Sequence, residues 1–263
     1  MIIDFHTHCF PEKIAQRAIM GLSYNSGAIA PNTNGQLDGL VEVMDKDGVD
    51  ISVVLHIATN ERQQHSVNDF AASIQNERII SFGSVYPDAP DVLEELERIK
   101  ELGLLGVKLH PEFQNFYVDD EKMKPIYKKI SELGLITLFH AGMDVGYRPP
   151  YHCTPKRLEK ALSWFSSPVV AAHLGGLDES EEVIKRLCGK EGLYLDTAYS
   201  YGIVPKPVLE DIIDAHGTDK ILYGSDCPWH RPSWEKKMIS SLELADEEKN
   251  KIYFKNAKKL LGL

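Results

Sequence analysis

The chain lacks the features that mark several classes of protein. No apolar run approaches the length of a membrane span, and the apolar start at residues 1–5 is too short for a signal peptide. Lys and Arg form no basic cluster, and the formal net charge is −10, so neither nucleic acid nor an anionic membrane surface is an expected partner. A small-molecule substrate is therefore the expected partner.

Three common catalytic motifs are also missing. The sequence has no G-x-S-x-G elbow, no G-x-G-x-x-G after an apolar run and no G-x-x-x-x-G-K-[ST] loop, so serine hydrolases, dinucleotide enzymes and P-loop enzymes are disfavoured. The four cysteines form no C-x-x-C pair, and a chain of 263 residues does not need disulfides to fold. We therefore expect reduced thiols in a cytoplasmic protein.

What the chain does have is a repeated alternation of apolar runs and amphipathic segments. The runs recur roughly every 25 to 35 residues after a longer opening gap, the length of a strand, a loop and a returning helix. Near-continuous hydrophobicity is typical of parallel strands that are buried on both faces. The eight runs are residues 2–5, 51–56, 79–85, 105–110, 135–140, 169–173, 193–196 and 221–224.

Helical patterns lie between the runs. Apolar residues spaced by three and four precede Gly48, Gly103 and Gly134 and predict helices that end at these glycines. Further helices are predicted at residues 180–187, 207–215 and 246–261. Eight such units predict a closed (β/α)8 TIM barrel, formed by residues 1–263 as a single domain. Two long connections, 24–36 and 143–156, are predicted to leave the catalytic rim and cover the substrate.

Residue types that bind metals stand at the ends of four runs. His6 and His8 are two positions apart, so their imidazoles point to the same face of an extended strand. His140, His173 and Asp226 each close a later run. Because the carboxyl ends of barrel strands meet at one rim, these side chains predict a metal site there. Imidazole and carboxylate ligands suit zinc or another divalent transition metal, which would activate a water molecule.

The sequence around these residues resembles a known superfamily. The segments DFHTH (4–8), FHAG (139–142), AHLGG (172–176) and YGSDCPW (223–229) look like motifs of the amidohydrolase superfamily. More narrowly, with MDKDGVD (44–50) and GVKLHP (106–111), they look like the amidohydrolase-related branch that contains aminocarboxymuconate semialdehyde decarboxylase and related aromatic-acid decarboxylases. The resemblance covers most of the chain.

The resemblance implies a role for each matching residue. His6, His8, His140 and Asp226 would bind one metal ion, with Asp226 also transferring protons. His173 matches a nearby acid or base of the decarboxylases, or a ligand of the second ion in two-metal hydrolases. Both Asp226 and His173 are therefore predicted catalytic residues.

The fourth run departs from the two-metal pattern, which has a bridging carboxylated lysine or a glutamate there. Lys108 and His110 stand at this point and share a face of the strand. Lys108 could be carboxylated, hold a substrate carboxylate or line the barrel. His110 could contact substrate or bond a loop backbone. We assign both residues to substrate binding.

Three functions fit these residues. The leading interpretation is a metal-dependent hydrolase of a small amide, lactam, lactone or ester, in which His173 stabilises the oxyanion and Asp226 protonates the leaving group. The alternative is a non-oxidative decarboxylase, or carboxy-lyase, of an unsaturated or aromatic acid, in which Asp226 or His173 protonates the carbon. A third is a barrel that binds a ligand or a metal without turnover. The fold cannot choose among them, and the sequence leaves a homo-oligomer open.

Overall fold

Eight short strands alternate with helices along the chain in a computed structural model that describes residues 1–263. Each strand coincides with one of the eight predicted apolar runs, so the predicted order of strands is confirmed. The strands are β1 (Ile3–Thr7), β2 (Ile51–Leu55), β3 (Ile79–Phe82), β4 (Gly106–Leu109), β5 (Ile136–Phe139), β6 (Val169–Ala171), β7 (Leu193–Asp196) and β8 (Ile221–Leu222).

All neighbouring strands pair in parallel and in sequence order, as a sheet of three strands, β1 to β3, and a sheet of five, β4 to β8. A bridge between Gly83 and Val107 joins β3 to β4, and a bridge between Thr7 and Cys227 joins β1 to the segment after β8. The chain therefore folds as the predicted (β/α)8 TIM barrel, whose strands end at one common rim.

The helices include all of those that the sequence predicts and four more, which cover Glu12–Asn25, Gln64–Ser73, Pro155–Leu162 and Pro232–Ser240. A π-helical segment, Lys251–Lys255, interrupts the helix predicted at 246–261. None of the helices combines the length and the apolar composition that a bilayer crossing requires. The helices are α1 (Glu12–Asn25), α2 (Leu37–Asp47), α3 (Gln64–Ser73), α4 (Val92–Glu101), α5 (Lys124–Glu132), α6 (Pro155–Leu162), α7 (Ser180–Arg186), α8 (Lys206–His216), α9 (Pro232–Ser240), α10 (Asp246–Asn250) and α11 (Asn256–Leu261).

Alternation along β4 decides which side chains face the site. Val107 and Leu109 pack in the larger apolar cluster, together with residues of the surrounding helices. Lys108 stands between them in sequence and is 1 % exposed. Because successive side chains of a strand point to opposite faces, Lys108 is directed away from the helices and into the barrel.

Candidate metal centre

The ends of β1 and β8 bring three of the predicted ligands together. Nε2 of His8 lies 3.1 Å, and Nε2 of His6 3.4 Å, from Oδ1 of Asp226. These ligand atoms all lie within 4.8 Å of one another. The His6 side chain is 1 % exposed, whereas those of His8 and Asp226 are each 12 % exposed. The cluster therefore has a buried floor at His6 and an edge that reaches solvent.

Local backbone features place these side chains. The register of β1 against β2 shifts between Asp4 and Thr7, around the position of His6. A Cβ atom at position 224 would stand 3.0 Å from Cβ of His6, so Gly224 allows the backbone of this segment to lie close to His6. Asp226 has a φ of +67°, in the left-handed region, and its N–H donates to the His6 carbonyl over 2.8 Å. Backbone strain of this kind concentrates at functional sites.

The other nitrogens of these imidazoles are hydrogen-bonded away from the cluster. Nδ1 of His6 lies 2.9 Å from Oδ2 of Asp196, and Nδ1 of His8 lies 2.9 Å from the Leu55 carbonyl. The Leu55 carbonyl and the ionised carboxylate of Asp196 are acceptors, so Nδ1 carries the proton in each ring and Nε2 presents a lone pair. Two lone pairs and a carboxylate oxygen thus face one another. This donor set fits a divalent transition metal, which would bind all three atoms.

His140 lies beside this cluster and not within it. Nδ1 of His140 is 3.1 Å from Nε2 of His173, whose own Nδ1 donates to the Ala198 carbonyl over 3.0 Å. Nε2 of His140 has no hydrogen-bond partner, and Oδ2 of Asp144 stands 3.9 Å from it. The rings of His6 and His173 are 5.2 Å apart. His173 therefore separates the fourth predicted ligand from the three that converge.

Lys108 forms part of the floor of the site. Its Nζ lies 3.5 Å from Nε2 of His6. Burial lowers the pKa of the Lys108 amine to about 8, although the negative charges of Asp196 and Asp226 act to raise it. The two carboxylates thus favour the ammonium form, which can attract an anionic group.

His110 bonds a loop backbone, one of the two contacts that the sequence left open, and it also bonds a carboxylate. Its Nδ1 accepts from the backbone N–H of Phe113 over 3.4 Å, so Nε2 carries the proton and donates to Oδ2 of Asp144 at 3.2 Å. Burial lowers the His110 pKa, and the bond to Asp144 raises it. The His110 ring stacks between Phe113 and His140, with centroid distances of 3.8 and 4.2 Å. It thus forms an aromatic wall beside the centre.

Asp196, Asp144 and Tyr199 also border the centre, but they are not among the residues predicted from the sequence. Asp196 closes the seventh apolar run, just as Asp226 follows the eighth. This position in the sequence could have identified Asp196 as a site residue. Asp144 lies within the predicted covering segment 143–156. The other covering segment, 24–36, also reaches the rim, where Asn32 donates its N–H to the Pro228 carbonyl over 2.7 Å. Its first two residues, however, belong to helix α1.

The chain matches the amidohydrolase family over residues 3–263 and belongs to that family. Its fold is similar to that of 5-carboxyvanillate decarboxylase from Sphingomonas paucimobilis, at 15 % identity and a TM-score of 0.74 over 100 % of this chain and 99 % of that chain. A TIM-barrel protein from Bordetella bronchiseptica is 20 % identical, with a TM-score of 0.77 over 99 % and 98 % of the two chains. Dihydroxybenzoic acid decarboxylase from a Polaromonas species, with bound manganese and the inhibitor 2-nitroresorcinol, is 16 % identical, with a TM-score of 0.73 over 100 % and 97 %.

Proposed function

We propose that the protein is a metal-dependent, non-oxidative decarboxylase of a small unsaturated or aromatic carboxylic acid. The observation that carries this proposal is the buried Lys108 amine beside a donor set for a cation, because two positive groups in one site suit a carboxylate substrate. The similarity in fold to two decarboxylases supports it as well. We therefore place decarboxylation ahead of hydrolysis, the leading interpretation of the sequence.

The proposed ligands of a single ion are His6, His8, His140 and Asp226. The first, second and fourth of these converge directly. His140 instead groups with His110 and Asp144, so its ring would have to turn to reach the same ion. Zinc and manganese both accept such ligands. When bound, the ion would supply positive charge that holds and orients an oxygen of the acid.

Asp226 is the proposed proton donor to the substrate carbon. Its exposed edge gives it access to solvent protons, whereas the imidazole of His173 is buried and directed at His140. A C–H bond would form at the carbon that bears the carboxylate as Asp226 gives up its proton. The C–C bond to the carboxylate then breaks, its electron pair returns to the unsaturated system, and carbon dioxide leaves. Lys108 would hold the carboxylate until this step.

A metal-dependent hydrolase of a small amide, lactam, lactone or ester is the second proposal, because the chain belongs to the amidohydrolase family. Asp226 would then take a proton from water and pass it to the leaving group, while His173 would stabilise the oxyanion. The two proposals share every proposed ligand and differ in the bond that is broken.

Elemental analysis of the purified protein, followed by two substrate panels, tests both proposals. Unsaturated and aromatic acids are assayed for carbon dioxide, and lactones, lactams, esters and amides are assayed for new acid. We expect carbon dioxide from at least one acid. New acid without carbon dioxide would favour hydrolysis, and a metal-loaded protein that turns over neither panel would contradict both proposals.

A further inference from the structure

Asp4 is a buried acidic residue of β1 that the proposed reaction does not use. It lies two positions before His6 in the chain, and it is fully buried. Its carboxylate bonds two segments at once. Oδ1 accepts the backbone N–H of His6 over 3.3 Å and that of Ser225, on the segment after β8, over 2.9 Å. Asp4 therefore connects the strand that carries two proposed ligands to the segment that carries Asp226.

The hydroxyl of Ser225 extends this connection past Asp226. Oγ of Ser225 donates to Oδ2 of Asp4 over 2.6 Å and accepts the backbone N–H of Cys227 over 3.0 Å. The Ser225 carbonyl accepts the N–H of Tyr199 over 3.3 Å. The residues on both sides of Asp226 are therefore bonded to the same carboxylate and hydroxyl pair, and the backbone of this turn has little freedom.

The backbone of Asp226 is in a conformation that needs such support. Its φ of +67° lies in the left-handed region, which is unfavourable for a residue with a side chain. Conformations of this kind persist where the surrounding structure fixes them. With the turn in this form, Oδ1 of Asp226 lies 3.1 Å from Nε2 of His8 and 3.4 Å from Nε2 of His6. A turn that relaxed to a negative φ would move the carboxylate away from both imidazoles.

We propose that Asp4 is a positioning residue for the metal centre. Through Ser225 it holds Asp226 in the left-handed conformation, so that the Asp226 carboxylate faces the two imidazoles of β1. Asp4 bonds main-chain and hydroxyl groups of the turn and is not itself a proposed ligand. The inference rests on the proposed function in one respect, namely the set of ligands. It does not depend on the reaction, because a decarboxylase and a hydrolase would use the same ion.

The test is the affinity for zinc, measured by competition with a chromophoric chelator. Ser225→Ala removes the hydroxyl and keeps the backbone bond to Asp4, and we expect it to weaken zinc binding about tenfold. Asp4→Asn keeps one oxygen for the two N–H groups but cannot accept the Ser225 hydroxyl proton at the other position, so it should weaken binding to a similar extent. If Asp4→Asn does not fold, Ser225→Ala decides the question alone.

A double-variant cycle separates positioning from a general loss of stability. Asp226→Ala has no carboxylate to position, so adding Ser225→Ala to it should lower the zinc affinity by less than about twofold. Ser84→Ala is the matched control. The Ser84 hydroxyl is also buried and also makes one donated and one accepted bond, to the Lys108 carbonyl and from the Ala58 N–H, but it bonds no proposed ligand. The zinc affinity of Ser84→Ala should equal that of the wild type.

Unchanged zinc affinity in Ser225→Ala, or the same loss of affinity in the Asp226→Ala background, would overturn the inference. A wild type that binds no zinc would overturn it together with the proposed set of ligands. Carbon dioxide release is not part of this test. A protein that shows the expected cycle but turns over neither substrate panel would therefore count against the proposed reaction alone.

Discussion

Oδ2 of Asp196, at the end of β7, lies 2.9 Å from Nδ1 of His6, on β1. Both side chains are buried. Oδ1 of the same carboxylate accepts the backbone N–H groups of His173 and Ala198, over 3.0 and 3.1 Å. Burial raises the pKa of Asp196 to about 7, although these two bonds and the charge of Lys108 act to lower it. Asp196 thus sets both the tautomer and the angle of the most deeply buried proposed ligand.

Asp196→Asn should weaken metal binding about 10- to 100-fold, because the amide can turn an N–H toward Nδ1 and no longer requires the proton there. Competition with a chelator of known affinity measures the change. Asp119→Asn is the control, since Asp119 pairs with Arg157 and Lys160 away from the centre. Unchanged affinity in Asp196→Asn would contradict the orienting role.

Asp226→Asn should reduce turnover by about 10²- to 10⁴-fold, because the amide cannot take up and return a proton. His6→Ala should lose both activity and bound metal, which elemental analysis of the purified variant measures. Normal turnover in Asp226→Asn would refute the role proposed for Asp226, and a full metal content in His6→Ala would refute that proposed for His6.

Gly142→Ala should be strongly destabilising. At a φ of +77°, a Cβ atom there would stand 2.3 Å from the Leu177 amide nitrogen and 2.6 Å from Cα of Gly176. Gly134→Ala is the matched control, because its φ is +65° but its Cβ would meet open space. Both changes carry the left-handed strain of about 1–2 kcal/mol. We expect Gly142→Ala to lose a further 1–3 kcal/mol or so to the clash, measured by denaturant unfolding. Equal losses of stability in the two variants would show that the backbone around residue 142 shifts to accommodate the added methyl group.

His216 should make the stability depend on pH below neutrality. Burial lowers its pKa from 6.5 to about 4, with a smaller contribution from the charge of Lys220. The folded state therefore favours the neutral ring. This contribution is complete above pH 6.5 and is lost as the pH falls toward 4. His216→Gln can still accept the Gly189 N–H that Nδ1 accepts over 3.3 Å.

Between pH 7 and pH 4, the free energy of unfolding of the wild type should thus fall by about 2–3 kcal/mol more than that of His216→Gln. Denaturant titrations at several pH values measure both curves. Parallel curves would show that His216 does not contribute to the acid sensitivity.

The strand order could be predicted because strands buried on both faces leave unbroken apolar runs in the sequence. Helix α1 was harder to see, since only Ala15 and Ile19 of its residues are buried and its apolar stripe is weak. The convergence of His6, His8 and Asp226 follows from the common rim of the strands, and the sequence was enough to expect it.

The direction of the His140 ring was beyond the sequence. It depends on the tautomer of His173, and that tautomer is set by a backbone carbonyl at position 198, which any residue type would provide. Contacts made by loops and by main-chain atoms leave little trace in the order of residue types.

His8 and Asp226 are 218 positions apart in the chain. A cation bound between them would therefore link the end of the first strand to the segment after the last strand. In the unfolded chain these two residues are far apart, so the ion would bind almost exclusively to the folded state. Binding would therefore shift the folding equilibrium toward the folded state. Loading with metal would raise the melting temperature, and this increase would become larger at higher concentrations of free ion.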